Sequence, residues 1–188
     1  MKRILNALTE QKVIAAKDME LVKYGLQQGR YLLTNFAIIL LISFAFHELK
    51  TGFLFMIFFF TLRSYTGGYH TDSIWTCYIL STLIVAGTIW SFHARVWTPT
   101  IAGIAILISS GVLAVNSPVD SKNRRLNGAE KMSLNRITKR ILLIELILGM
   151  LGIMWEINYL YASIAAAMFI SFLLTFWGIS KNINERTQ

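Results

Sequence analysis

From Asn158 to Ile179 the chain reads NYLYASIAAAMFISFLLTFWGI, without a single Asp, Glu, Lys or Arg. Crossing a bilayer core of about 30 Å takes roughly 20 mostly apolar helical residues, so this stretch has the length and composition of a transmembrane helix. Four further runs share its character: Tyr31 to Leu49, Ile74 to Phe92, Val96 to Val115, and Ile141 to Trp155 with its flanks. Of the 188 residues, 55% are hydrophobic and only 15% charged, a bias beyond that of a soluble domain. The expected fold is all-α, a polytopic helical membrane protein.

A sixth run, Gly52 to Leu62, carries Phe53, Phe55, Phe58, Phe59 and Phe60. Its length as a helix is only about 16 Å, so either its flanks complete a crossing or it re-enters. A crossing that ends in a thinned or water-filled funnel is favoured, because the polar, glycine-rich segment that follows is tolerated at membrane depth only where it lines a cavity. The expectation is thus about six membrane segments, the second of them short.

The basic residues give an independent reading of topology. With the N-terminus inside, all of the 18 Lys and Arg residues except Lys50 and Arg95 fall on cytoplasmic stretches, as the positive-inside rule requires. Both termini are then cytoplasmic in a multi-pass protein of the cell membrane. The net charge of +8 becomes a topology signal, and no nucleic-acid partner is needed to explain it.

Residues 1 to 30 lack the apolar core of a signal peptide. Their apolar positions recur at helical spacing (Ile4, Leu8, Ala15, then Met19, Val22, Leu26), with Asp18 placed to cap a second helix. They are expected to lie on the cytoplasmic membrane face as amphipathic helices in contact with lipid, either as anchors or as the wall of a site. No internal repeat or low-complexity linker divides the chain. One domain is expected over residues 1–188: interfacial helices at 1–30, a transmembrane bundle at 31–179 and a cytoplasmic tail at 180–188.

Two long polar interruptions, residues 63 to 73 and 116 to 140, are the places for chemistry. The first reads Arg63-Ser64-Tyr65-Thr66-Gly67-Gly68-Tyr69-His70-Thr71-Asp72-Ser73, and Cys77 follows. Cys77 is the only cysteine, which excludes an intrachain disulfide and a Cys-rich zinc site. No metal or other cofactor is expected. The thiol is either a small packing hydrophobe or a nucleophile.

A nucleophilic cysteine needs a base within about 2.6–3.2 Å, and His70 is the one nearby candidate. On an unbroken helix, seven residues separate two side chains by about 10.5 Å along the axis, so the histidine has to leave the helix. Gly67 and Gly68 can bend the backbone, and Asp72 or Ser73 can cap a helix that places Cys77 near its fourth or fifth position. Asp72 either caps that helix or orients the imidazole as the third member of a triad. Arg63 either neutralises a substrate carboxylate or oxyanion, or snorkels to the headgroups.

Other ionisable residues are weaker leads. His47 and His93 fall near the outer ends of their spans, where interfacial placement explains them. Glu145, inside the fifth span, is either functional or paired with a neighbouring helix.

Arg63, Gly67-Gly68, His70 and Cys77, in a small six-span chain with amphipathic N-terminal helices, resemble the accessory gene regulator B family (AgrB) of Gram-positive quorum sensing. Asn116-Ser117-Pro118-Val119-Asp120, followed by Lys122-Asn123-Arg124-Arg125, is similar to that family's proline and basic loop. The likeness departs at Arg125 and Leu126, where a proline often follows in the family.

The resemblance implies a membrane cysteine endopeptidase that cuts the C-terminal part from a propeptide and helps cyclise the remainder to a thiolactone or lactone. Cys77 would attack the scissile carbonyl and His70 would carry the proton, leaving a thioester. A Cys or Ser of the bound peptide then displaces Cys77. Lys122, Arg124, Arg125 and Arg63 would hold the acidic C-terminal part of the propeptide at a site facing the cytoplasm. The family also suggests a homodimer, to which Ala162 and Ala166 offer a small-xxx-small contact. From the residues alone, a small transporter or binding protein with a helix broken at Gly67-Gly68 is the rival reading.

Overall fold

The computed structural model describes residues 19–67, 74–119 and 127–186. They form six helices: α1 (Met19–Ala45), α2 (Leu49–Thr66), α3 (Ile74–His93), α4 (Pro99–Asn116), α5 (Gly128–Met154) and α6 (Asn158–Arg186). The described residues contain no strand. Residues Met1–Ile38 and Ile39–Gln188 form two compact units. In the first, α1 runs from Met19 through the expected interfacial boundary at residue 30 and into the apolar stretch without a break. Residues 1–18, with Asp18, lie outside the described residues.

The second unit is built around α6. From Tyr161 to Met168 every residue of this helix is buried, and Ala162, Ala165, Ala166 and Ala167 leave room for neighbours to approach closely. Helices α2, α4 and α5 all pack on it, and Ser163 Oγ donates to the Thr51 carbonyl of α2 at 2.8 Å. Inward stripes on the partners follow helical spacing: Ala102, Ile106, Ser109 and Leu113 on α4, and Thr138, Leu142, Glu145, Gly149 and Gly152 on α5.

Among the described residues two helical stretches, Pro99–Asn116 and Asn158–Ser180, are long and apolar enough to cross a membrane. The expectation of about six is not met among the described residues, and for α2 and α5 the positions of charges account for it. The apolar part of α5 follows Lys131, Arg136, Lys139 and Arg140 in the same helix, so Ile141–Trp155 is the second half of a longer amphipathic rod. Among the residues whose side chains are described, the apolar stretches of α1 and α3 are Leu33–Ala45 and Ile79–His93, within helices that begin at Met19 and Ile74. The short run Gly52–Leu62 sits within α2, which carries Lys50 and Arg63 near its ends. Much of the supposed tail is helical as well, since α6 continues to Arg186.

Helices α1, α3 and α5 end in the same way. The N–H groups of Glu48, Val96 and Ile157 reach back to the carbonyls of Ser43, Ser91 and Gly152 at 2.8–3.1 Å. Those of His47, Arg95 and Glu156 bond Phe44, Phe92 and Ile153 at 3.0–3.2 Å. These are Schellman closures, and His47, Arg95 and Glu156 hold the left-handed position, with φ of 58°, 54° and 54°. Each closure joins a helix pair by a short turn. Both longer connections, 67–73 and 117–127, follow the opposite ends of α2 and α4.

Candidate active site

Helix α2 stops at Gly67, whose φ of 66° and ψ of −151° a side-chain-bearing residue rarely adopts. A Cβ there would also run into the carbonyl oxygen of Val119. The two residues form a parallel bridge, in which Val119 N–H donates to Thr66 O at 3.0 Å. Helix α4 has already turned extended at Ser117, whose N–H closes on Leu113 O. The ends of α2 and α4 are thereby fastened backbone to backbone.

Two side chains complete the junction. Arg63 Nη1 donates to the Gly67 carbonyl, and Thr138 Oγ1, from α5, donates to Tyr65 O at 3.2 Å. Together these bonds satisfy carbonyls that the end of α2 leaves without intrahelical donors. The hydroxyls of Thr66 and Ser117 are buried beside the bridge and have no hydrogen-bond partner among the described residues.

The expected site residues fall around this junction to different extents. Arg63 is half-buried and caps the end of its own helix. Gly67 is the hinge of the bridge. Cys77 is the fourth residue of α3. Gly68, His70 and Asp72 lie outside the described residues, as do Lys122, Arg124 and Arg125. In the sequence, however, the first three follow Gly67 and the last three follow Val119. Both segments therefore leave from one pinned point, which joins the two polar interruptions that sequence separates.

The remaining candidates are placed elsewhere. His47 occupies a left-handed turn, and His93 ends α3 with its ring 5.6 Å from Phe46, edge to face. Glu145 is 2% exposed, and neither carboxylate oxygen has a hydrogen-bond partner among the described residues. Among the described residues no group of His, Cys, Asp and Glu could hold a metal ion. A cavity of about 330 Å³ is lined by Glu48, Phe92, Arg95, Trp97, Tyr159 and Tyr161. It opens at the start of α2, about 27 Å of helix from Gly67, and so takes no part in the junction.

Sequence reading gave no role to Thr138 and saw Val119 only as part of a loop. One signal was available for Thr138: it stands four residues before Leu142 on the inward stripe of α5, where a hydroxyl needs a partner.

A sequence model of the accessory gene regulator B family matches residues 1–179. No curated protein and no solved structure matches the chain.

Proposed function

The chain belongs to the accessory gene regulator B family, and from that premise we propose that it is a membrane cysteine endopeptidase with Cys77 as nucleophile and His70 as base. The family acts in processing the propeptide of the quorum-sensing system and is membrane-associated. In the proposed reaction His70 takes the thiol proton as Cys77 Sγ attacks the scissile carbonyl. The imidazolium then gives that proton to the leaving amine, and the C-terminal part of the propeptide departs. A thioester to the N-terminal part remains. A Cys or Ser side chain of that part displaces Cys77, which closes the ring and frees the enzyme.

The observation that supports this reading most directly is the Gly67–Val119 bridge. It ties the start of the His70 segment to the start of the Lys122, Arg124, Arg125 segment, which supports a site in which the residues that hold the peptide and the residue that carries the proton work together. Ring closure is favoured over attack by water because the Cys or Ser nucleophile is joined to the acyl group through the peptide itself, which raises its effective concentration. In the full reading the chain crosses the membrane several times with both termini cytoplasmic. It forms one peptidase domain, works as a homodimer in contact with lipid, and exposes its site to the cytoplasm, where a newly made propeptide is found.

The test is co-expression with the propeptide, followed by mass spectrometry of the intact chain. The proposal expects a thioester adduct on Cys77, none in Cys77→Ala, and none in a folded His70→Gln. Cleavage that persists in Cys77→Ala would remove the nucleophile assignment.

A further inference from the structure

The three Schellman closures meet at the cavity of about 330 Å³. Its walls take Glu48 from the α1–α2 turn, Arg95 from the α3–α4 turn and Asn158 from the start of α6. Thr51, Trp97 and Tyr161 also line it.

Two opposite charges thus face one space, yet no ion pair joins them. Thr51 Oγ1 donates to Glu48 Oε2 at 2.8 Å, which holds the carboxylate at the Thr51 wall. Tyr161 Oη donates to Asn158 Oδ1 at 2.7 Å, so the amide oxygen is engaged and the N–H end of Asn158 remains to donate. Trp97 Nε1 donates to Ser91 Oγ at 2.8 Å, which fixes the indole as a wall. An anion alone would be opposed by Glu48, and a cation alone by Arg95. A zwitterion satisfies both: the guanidinium and the amide take an oxyanion, while the carboxylate and the indole take an ammonium.

Depth narrows the class of zwitterion. The cavity stands at one end of α2 and the junction at the other, and 18 helical residues separate them by about 27 Å. That is close to the thickness of a hydrocarbon core, about 30 Å, and Lys50 and Arg63 stand near the two ends of the helix. With the junction at one headgroup level, the cavity lies at the other. Exposed Trp155 and Tyr159, beside the same turns, are side chains that favour this level. The zwitterion met at that depth is a phospholipid headgroup.

Arg95 is costly where it stands. Its φ of 54° suits glycine, and in the proposed topology it is, with Lys50, one of two basic residues on the outer side. A phosphate that takes its guanidinium accounts for an arginine at this position.

We infer that the cavity binds the headgroup of phosphatidylethanolamine, with the phosphate on Arg95 and Asn158 and the ammonium on Glu48 and Trp97. The site depends on the membrane reading of the chain and not on the chemistry of Cys77. A bound lipid ties the α1–α2 turn, the α3–α4 turn and the start of α6 together at the face opposite the junction.

The test is native mass spectrometry of the purified chain in detergent, offered phosphatidylethanolamine, phosphatidylglycerol and phosphatidylcholine of one acyl composition. The expected result is preferential retention of phosphatidylethanolamine by wild type. Arg95→Gly suits the left-handed turn and so keeps the fold; it is expected to weaken that retention about 10-fold, the worth of one hydrogen bond to a charged group. Glu48→Gln keeps an acceptor for Thr51 and is expected to remove the preference over phosphatidylcholine, whose quaternary ammonium has no N–H to donate. Wild-type retention of either other lipid equal to or above that of phosphatidylethanolamine would overturn the site, as would an unchanged preference in Arg95→Gly or Glu48→Gln. Binding of O-phosphoethanolamine to the lipid-free chain as tight as that of the lipid would overturn the lipid assignment. Propeptide cleavage is a separate measurement, so the peptidase reading can fail while the lipid site stands.

Discussion

Val119 donates its backbone N–H to the carbonyl of Thr66 at 3.0 Å, so the first residue beyond Pro118 is held against the last residue of α2. Neither residue carries chemistry. What they share is position: each immediately precedes a segment rich in candidate functional groups, and their bond makes the departure points of those segments a single place.

Gly67→Ala tests that place directly. With φ of 66° and ψ of −151° the backbone lies in a region open essentially to glycine alone, which costs an L-residue about 1–3 kcal/mol, and the Val119 carbonyl stands where the new methyl would go. The expected outcome is a lower melting temperature and loss of propeptide cleavage. Gly87 on α3 meets nothing within 4 Å, so Gly87→Ala is expected to leave cleavage intact and to be neutral or stabilising by roughly 0.5–1 kcal/mol.

Thr138→Val removes the hydroxyl that binds Tyr65 O while keeping the side chain's shape. A net loss of about 1 kcal/mol is expected in thermal or denaturant unfolding, whereas Thr138→Ser, which keeps the donor, loses less. Slower cleavage in the valine variant, with near-normal rates in the serine variant, would show that the tether positions the α2 end.

At the centre of the bundle, Gly149→Ala places a methyl 2.7 Å from Ile106 Cδ1 and 3.3 Å from Ile164 Cγ2. Overpacking of this kind costs roughly 1–3 kcal/mol. Because the first atom met is the flexible tip of Ile106, trimming it relieves the clash: the double variant Gly149→Ala with Ile106→Val is expected to be more stable than the sum of the two single effects. A double-mutant cycle on melting temperature measures that coupling.

Reversing charge at Lys122, Arg124 and Arg125 is expected to weaken propeptide binding, and raising salt to weaken the wild-type interaction in the same direction. Cleavage rates at two ionic strengths, with and without the reversal, provide the check. Unchanged processing would leave these residues as topology determinants alone.

Legibility in the sequence followed the range of the forces involved. Helix content and the oily runs are local properties, and 158–179 announced α6 without its neighbours. Helix ends were harder. Gly128–Arg140 read only as part of a polar interruption because its exposed face is charged, although Glu130 accepts the Asn127 N–H at 3.1 Å in half of a capping box. The continuity of α1 across residue 30 was hidden by a change from amphipathic to apolar composition, which alters the surroundings of a helix and not its backbone. Gly67 was readable as a bend, since glycine is the residue for a positive φ. Its partner was not, because a bridge between distant backbones leaves no side-chain signature at Val119. Similarly, the left-handed turns at His47, Arg95 and Glu156 escaped notice, because glycine, the usual marker, is missing from all three.

Helix α6 follows α2, α4 and α5 along the chain, yet it is the surface on which all three pack. A polypeptide emerging from the ribosome presents those helices in order, and each must wait with an incomplete inner face until the last arrives. The junction draws its bonds from α2, α4 and α5, and the helices that carry it are covered on their inner faces only once α6 is in place.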